Sequence, residues 1–304
     1  MDEDAFTKGL RALLKQGKDV AVGPGDDCAV LDFGLEELLL AAADQVVAGI
    51  HFLADKTSPD AVARKLLKRN LSDIAAMGGR PTHALTTIAM SPLDESWLGR
   101  FFEGLQDEAE KAGVSIVGGD ISALPSPGCC CSLSILGKVS REALCLRSQA
   151  KPGDALFCTG AFGRSFPSGW HLEFKPRLEE GRFLAGAFSK AMMDVSDGLL
   201  KDACRMAEAS GCALEIEPER IPARAGASVE EALSDGEDYE LILALPPQKE
   251  QELLKRWPFK LAITRIGRFI EGMPGEARRV GGGELLKGEK GFDHFNGHGN
   301  HIAQ

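Results

Sequence analysis

The chain has no excess of positive charge. Its 304 residues carry 35 Lys and Arg against 45 Asp and Glu, a formal net charge of −10. Such a balance does not neutralise a nucleic-acid backbone, so no nucleic-acid partner is expected. An acidic protein still binds polyphosphate when Mg²⁺ bridges the like charges. No apolar run is long enough to span a bilayer, and no membrane partner is expected. The start, Met1-Asp2-Glu3-Asp4, is acidic and lacks a signal-peptide pattern, which sets the expectation of a cytoplasmic protein. Walker A, GxGxxG and HExxH motifs are all missing, and with them the commonest nucleotide and zinc frameworks. The eight cysteines lack zinc-type spacing. Cys129-Cys130-Cys131 leads into an apolar, strand-like run, and reduced thiols are expected rather than disulfides or a metal site.

What the chain does have is acid at turns. Gly23-Pro24-Gly25-Asp26-Asp27 makes a bend that ends in two carboxylates, followed by the apolar run from Cys28 to Leu31. Alone, such a turn is a solvated pair of acids. Repetition changes its meaning. Asp44, Asp73, Asp120, Asp194 and Asp197 also end apolar runs or open Gly-rich turns. Hard oxygen ligands at element ends suit Mg²⁺.

A chain of this length is expected to form two domains. Asp4 to Gln16 reads as an amphipathic helix; residues 29–32 and 38–43 read as paired strands. Ser58-Pro59 opens a helix that runs to Met77 and stops at Gly78-Gly79. Val62, Leu66, Asn70, Asp73 and Met77 share one stripe of it, which turns Asn70 and Asp73 towards the core or a cleft. A buried carboxylate needs a partner there. Strands are expected at 83–90, 114–117 and 131–139, and a helix at 95–112. Gly118-Gly119-Asp120 follows a strand as a turn that offers N–H groups to phosphate.

Ser148 to Asp154 is polar, contains Pro-Gly and marks the domain boundary, giving 1–147 and 148–304. Residues 164–180 have no clean period and read as a loop. Asp194-Val195-Ser196-Asp197-Gly198 precedes a helix over 199–210, with Ser196 or Asp197 as its cap. Two acids and a serine at a positive helix end form a phosphate and metal site. Strands at 155–159, 212–216, 241–245 and 263–269 and a helix at 249–256 complete the second half.

The ordered set GPGDDCAVL, AGIHF, NLSDIAAMGGRP, GGD, LRSQAKPGD, DVSDGLLKD, DGEDYEL and GFDHF resembles the thiamine-monophosphate kinase family of the aminoimidazole ribonucleotide synthetase superfamily. The resemblance spans nearly the whole chain. It implies a mixed α/β, two-domain fold. The N-terminal domain would bind ATP and dimerise through its sheet. The reaction implied is ATP plus thiamine phosphate giving ADP and thiamine diphosphate, with several Mg²⁺ ions, room for K⁺ and no covalent phosphoenzyme. By motif, Asp27, Asp44, Asp73, Asp120, Asp194 and Asp197 would bind metal. Gly119, Asp120, Arg147 and Ser196 would contact ATP; His51, Glu237 and Phe292 would meet thiamine phosphate. A phosphate monoester is already a nucleophilic anion near neutral pH, so no general base is expected.

The chain departs from the family's pattern in three places. Ala42-Ala43 stands before Asp44 where the family usually has Ser-Thr, Asp235-Gly236 replaces Gly-Gly before Glu237, and the segment over 164–183 is shortened. Another ATP-dependent member of the superfamily is the second enzymatic reading. A degenerate nucleotide- or thiamine-phosphate-binding protein is the third.

Overall fold

The computed structural model describes residues 6–9, 13–281, 283–286 and 291. Six strands form the first sheet, in the order β1-β2-β3-β6-β4-β5. They are β1 (Val20–Val22), β2 (Ala29–Leu31), β3 (Glu37–Val47), β4 (Arg80–Ser91), β5 (Ser115–Ala123) and β6 (Gly128–Ser140). Alternation explains which face is covered. Cys131, Leu133, Ile135 and Val139 of β6 point inward and are buried, as are Leu38, Leu40 and Val46 of β3. Two helices cover that face: α1 (Pro59–Ala76) and α2 (Glu95–Ala112). The pair β4–β5 is parallel, which requires the crossover that α2 supplies.

Helix α1 is the central element. Val62, Ala63, Leu66, Leu67, Ile74, Ala75 and Ala76 are fully buried, so more than one face of it is apolar. One side meets α2 so closely that a Cβ on Gly104 would stand 2.5 Å from the Asp60 Cα. Another side meets the second half of the chain.

That half is built on a seven-stranded sheet, in the order β13-β12-β9-β11-β7-β10-β8. The strands are β7 (Ala155–Thr159), β8 (Ala191–Asp194), β9 (Ala213–Ile216), β10 (Leu241–Leu245), β11 (Ile263–Ile270), β12 (Ala277–Arg279) and β13 (Leu285–Leu286). Its central strands are apolar on both faces because both are covered. Leu156, Cys158, Ile242 and Ala244 join one core with α5 (Leu199–Ala209) and with Ala232 of α6 (Val229–Ser234). Phe157, Leu241, Leu243 and Leu245 face the other way, with Leu184 of α4 (Leu178–Leu184) and Leu253 of α7 (Glu250–Arg256). A Cβ on Gly181 of α4 would stand 2.3 Å from the Ala75 carbonyl oxygen, so the two sheets' layers meet along α1.

Several sequence expectations change. Strand β3 runs on to Val47, which places Asp44 inside the strand rather than at its end. Gly118-Gly119-Asp120 lies within β5, not in a turn after it. A Cβ on Gly119 would stand 1.8 Å from the Thr86 carbonyl oxygen, so glycine there permits close strand pairing. The segment over 164–180 is not a plain loop: it holds α3 (Trp170–Glu173) and the start of α4. Its contacts are aromatic and ionic, which a search for apolar period does not detect. Ser58 stands at the N-cap of α1 with Pro59 after it, but its hydroxyl makes no cap bond. The first expected helix, residues 4–16, lies partly outside the described residues.

Candidate active site

Residues 65, 69 and 73 are four apart and therefore share one face of α1. That face looks across to the turn after β1 and to the end of β8. Three carboxylates meet there: ligand oxygens of Asp27, Asp73 and Asp194 lie within 4.8 Å of one another. Gly25, at φ +131°, lets the chain turn so that Asp26 and Asp27 point inward. Asp194 ends β8 and accepts a hydrogen bond from Ser72 Oγ at 2.6 Å. Two domains thus supply one cluster.

Its electrostatics are those of acids crowded together and withdrawn from water. Burial pushes the Asp27 carboxyl up to about 7, and the Arg147 guanidinium only partly opposes this. Asp73 rises well above the usual carboxylate range, through burial first and then the charges of Asp44 and Asp194. Asp194 rises likewise, through burial and Asp27. Arg147 donates to Asp27 Oδ1 at 2.5 Å, and its backbone N–H donates to Asp26 Oδ2 at 3.1 Å. Asp27 Oδ2 is buried without a hydrogen-bond partner. Crowded hard oxygens with one orphaned atom fit a divalent cation such as Mg²⁺.

A second group of charges adjoins the first. Asp44 of β3 accepts long bonds from Arg69, at 3.3 and 3.4 Å. Arg69 also reaches Glu237 Oε1 at 3.4 Å. Lys65 is fully buried and donates to Glu237 Oε2 at 2.5 Å and to the His51 carbonyl at 2.6 Å. Burial lowers the Lys65 ammonium to about 8. The buried His51 ring accepts from the Val47 N–H at 3.1 Å, which closes the turn after β3. Glu237 and Tyr239 both adopt left-handed backbone, at φ +63° and +51°. Non-glycine residues are strained in that region, and such strain clusters at ligand sites.

The short-helix segment forms a wall here. Phe166 stacks on His171 with ring centroids 4.2 Å apart, and Lys65 Nζ lies 5.1 Å from the Phe166 centroid. Burial and the nearby Lys65 drive the His171 imidazole down to about 4, so the ring is neutral. Behind it, buried Asp238 accepts from Ser165 at 2.6 Å and from Arg224 at 2.7 Å. Thus the 164–177 stretch is anchored to the motif that carries Glu237.

The turn before α5 differs from its expected capping. Gly198, at φ +125°, holds the N-cap, and neither Ser196 nor Asp197 caps with its side chain. Instead, buried Asp202 reaches back and accepts the N–H groups of Ser196 and Asp197 at 3.0 and 2.9 Å. Asp197 pairs with Arg205 at 2.6 Å. A Cβ on Gly291 would stand 2.7 Å from the Asp197 carbonyl oxygen, so the terminal motif begins against this turn. Phe292 itself lies outside the described residues.

Of the six aspartates singled out in the sequence, Asp27, Asp73 and Asp194 converge. Asp44 stands beside them as a charge that raises Asp73. Asp197 and Asp120 are not members of the triad. Asp120 is exposed on edge strand β5, with Ser122 Oγ 3.4 Å from its carboxylate. Lys65, Arg69, Asp26 and Asp202 were missed. Lys65 and Arg69 carried a signal: they repeat at four-residue spacing ahead of Asp73. Asn70 is fully buried as expected, and its Oδ1 has no hydrogen-bond partner.

Comparison with known proteins agrees with this geometry. The family model for the AIR synthase related protein N-terminal domain matches residues 25–139, and that for the C-terminal domain matches 151–278. The chain is similar to a thiamine-monophosphate kinase of Rhodopirellula baltica, with 36% identity covering 91% of this chain and 92% of the relative. It is 32% identical to the thiamine-monophosphate kinase of Escherichia coli K12, covering 91% and 93%. Among solved structures, AaThiL complexed with AMPPCP and TMP superposes with TM-score 0.79 at 30% identity, covering 96% of this chain and 95% of that one. Hydrogenase maturation protein HypE in complex with ATP shares the fold at 18% identity and TM-score 0.67, covering 91% and 89%. With a triad of carboxylates drawn from both halves and family models spanning both, the chain belongs to the AIR synthase related proteins and, within them, to the thiamine-monophosphate kinase family.

Proposed function

We propose that this protein works as a thiamine-phosphate kinase by direct transfer: a phosphate oxygen of thiamine phosphate attacks the γ-phosphorus of ATP. The bond from that phosphorus to the bridging oxygen breaks, ADP leaves with the electron pair, and thiamine diphosphate forms. One observation carries the mechanism. Three carboxylates from two domains, Asp194 buried and Asp27 and Asp73 partly so, converge within 4.8 Å, and one of their oxygens has no hydrogen-bond partner among the described residues. Asp27, Asp73 and Asp194 would hold one Mg²⁺, and Asp44, Asp120 and Asp197 would be ligands of further Mg²⁺ ions that arrive with the substrates. Bound there, Mg²⁺ supplies positive charge that offsets two polyanions.

The chain's own residues do the rest. Arg147 sits on Asp27 and would contact ATP phosphate, with Ser196, Gly119 and Asp120 as the other ATP contacts proposed. The Ser196 and Asp197 N–H groups are already held by Asp202, which fixes the shape of the turn at the N-terminus of α5. His51, Glu237 and Phe292 would meet thiamine phosphate. Glu237 is positioned by Lys65 and suits a cationic thiazolium. No side chain is assigned as general base, because the acceptor phosphate is an anion. Backbone carbonyls of Ala42 and Ala43 remain as donors beside Asp44, without the hydroxyls.

Edge strand β5 supports a homodimer. Val117 and Ile121 are 56% and 46% exposed on it, and its outer backbone edge is unpaired within the sheet. ATP and eight free thiols both suit a cytoplasmic enzyme.

The test is formation of thiamine diphosphate and ADP from ATP, Mg²⁺ and thiamine phosphate, with and without K⁺. Asp73→Asn is the control, and turnover should fall at least about 100-fold. Tight binding of thiamine phosphate without turnover in the wild type would instead establish a binding protein.

A further inference from the structure

We infer that Arg69 is a phosphate-gripping residue of this kinase, held on Asp44 until Asp44 is taken up by the divalent cation. The inference rests on the kinase reading above and deepens it.

Arg69 is placed between the two halves of the chemistry. Its Nε and Nη2 face Asp44, on the cation side, and its Nη1 faces Glu237, on the acceptor side. The side chain is only 12% exposed. A buried guanidinium is always charged and needs anionic partners. The partners it has are held loosely. All three bonds measure 3.3–3.4 Å, whereas charge-assisted bonds of this type normally close to about 2.7–2.9 Å. The neighbouring cations are held tightly: Lys65 on Glu237 and Arg147 on Asp27 are both at 2.5 Å. Lys65 therefore satisfies Glu237 without help from Arg69. Arg69, whose guanidinium also lies 5.9 Å from the Tyr239 ring centroid, is the one of these three cations whose hydrogen bonds to carboxylates are all long.

Two further facts give the loose contacts a direction. Asp44 is held by Arg69, which sits one helical turn ahead of Asp73 on α1, so it borders the carboxylate triad without belonging to it. A divalent cation bound beside the triad and the Arg69 guanidinium then compete for the same Asp44 oxygens. Secondly, the guanidinium fork matches two oxygens of one phosphate. Arg69 rides on α1 four residues ahead of Asp73, so its backbone is fixed relative to the triad while its side chain can turn. Arg69 yields Asp44 to the cation and turns its fork to phosphate oxygens between donor and acceptor. It thus exchanges a carboxylate for the substrate charge that arrives with the cation.

The experiment compares Arg69→Gln and Arg69→Lys with the wild type in two readouts. Calorimetric titration with MgCl₂ alone reads the competition. Turnover and binding of the ATP analogue AMPPCP with Mg²⁺ read the grip. Arg69→Gln should bind Mg²⁺ about 10-fold more tightly, because a competing positive charge is gone. It should turn over about 100-fold more slowly and bind AMPPCP more weakly. Arg69→Lys keeps the charge but not the fork. It should keep the wild-type Mg²⁺ affinity and regain only part of the rate. If Arg69→Gln binds Mg²⁺ equally or more weakly, Arg69 is a structural strut and the inference is overturned. Unchanged turnover and AMPPCP affinity overturn it as well. Should the wild type fail to phosphorylate thiamine phosphate, the kinase reading fails, while the Mg²⁺ and AMPPCP titrations still decide the role of Arg69.

Discussion

Replacing Asp194 with asparagine should make the cation-free protein more stable and the enzyme inactive. The three carboxylates lie within 4.8 Å of one another, and at an effective dielectric near 20 a charged pair at that distance repels by about 3.5 kcal/mol. Proton uptake limits this: burial above all raises the Asp27 carboxyl from 3.8 to about 7, so part of the cluster takes up a proton rather than bear the full repulsion. The substituted carboxamide keeps an oxygen to accept from the Ser72 hydroxyl, which sits 2.6 Å from the native carboxylate. Relief of about 2–4 kcal/mol at pH 8 is expected, which raises Tm by roughly 3–6 °C for a chain of this size. The sign with pH is fixed. Below 3.8 both folded and unfolded carboxyls are protonated, and the cluster has no cost. Between 3.8 and about 7 the unfolded Asp27 has lost its proton while the folded one keeps it, so stability falls as pH rises. Above about 7 the folded Asp27 is ionised as well, and its share of the penalty is complete. Melting curves in EDTA at pH 5 and pH 8 check this: the variant's advantage should be small at pH 5 and largest at pH 8. Added Mg²⁺ should raise the wild-type Tm and leave the variant nearly unmoved. A variant that melts below the wild type in EDTA at pH 8 refutes the reasoning, because the triad would then not be a site of stored repulsion.

Other perturbations follow from single contacts. Lys65→Met leaves Glu237 buried with only the 3.4 Å contact from Arg69; a loss of about 3 kcal/mol by urea unfolding and a raised KM for the acceptor are expected. Gly160→Ala would place a Cβ 2.1 Å from Glu240 Oε1 at a position with φ +62°. Glu240 is held by Thr159 at 2.7 Å and by Arg177, so a loss of about 3 kcal/mol or more should appear in thermal melts. Leu66→Ala empties a fully buried site on α1 and should lower the stability read from urea unfolding by about 3 kcal/mol with an unchanged slope.

Much of the fold was legible because it was local. Apolar alternation located β6, an apolar run located β10, and Ser58-Pro59 with Gly78-Gly79 bounded α1 closely. The 164–180 stretch was not legible. It is held by Asp238, Arg224 and the Phe166–His171 stack, partners that are distant in sequence or carry no period. The edges of β3 and β5 were misjudged for a related reason. Asp44 and Gly118-Gly119 look like strand ends in isolation, yet pairing with β6 and β4 carries the strands through them.

The sequence alone determined which residue types this chemistry needs and in what order they occur. A set of aspartates at turns and run ends, in one ordered series of motifs, was enough to name the family and to expect carboxylate ligands. Only the tertiary structure decided which aspartates meet. Asp27, Asp73 and Asp194 are separated by long stretches of chain, and their approach depends on α1 being buried between two sheets. It also decided the partners of Lys65 and Arg69. Helical spacing put those cations on the face of Asp73, but the carboxylates they pair with come from β3 and from the turn before β10. Long-range charge pairing leaves no local pattern, because its energy depends on distance in space and on burial rather than on separation along the chain.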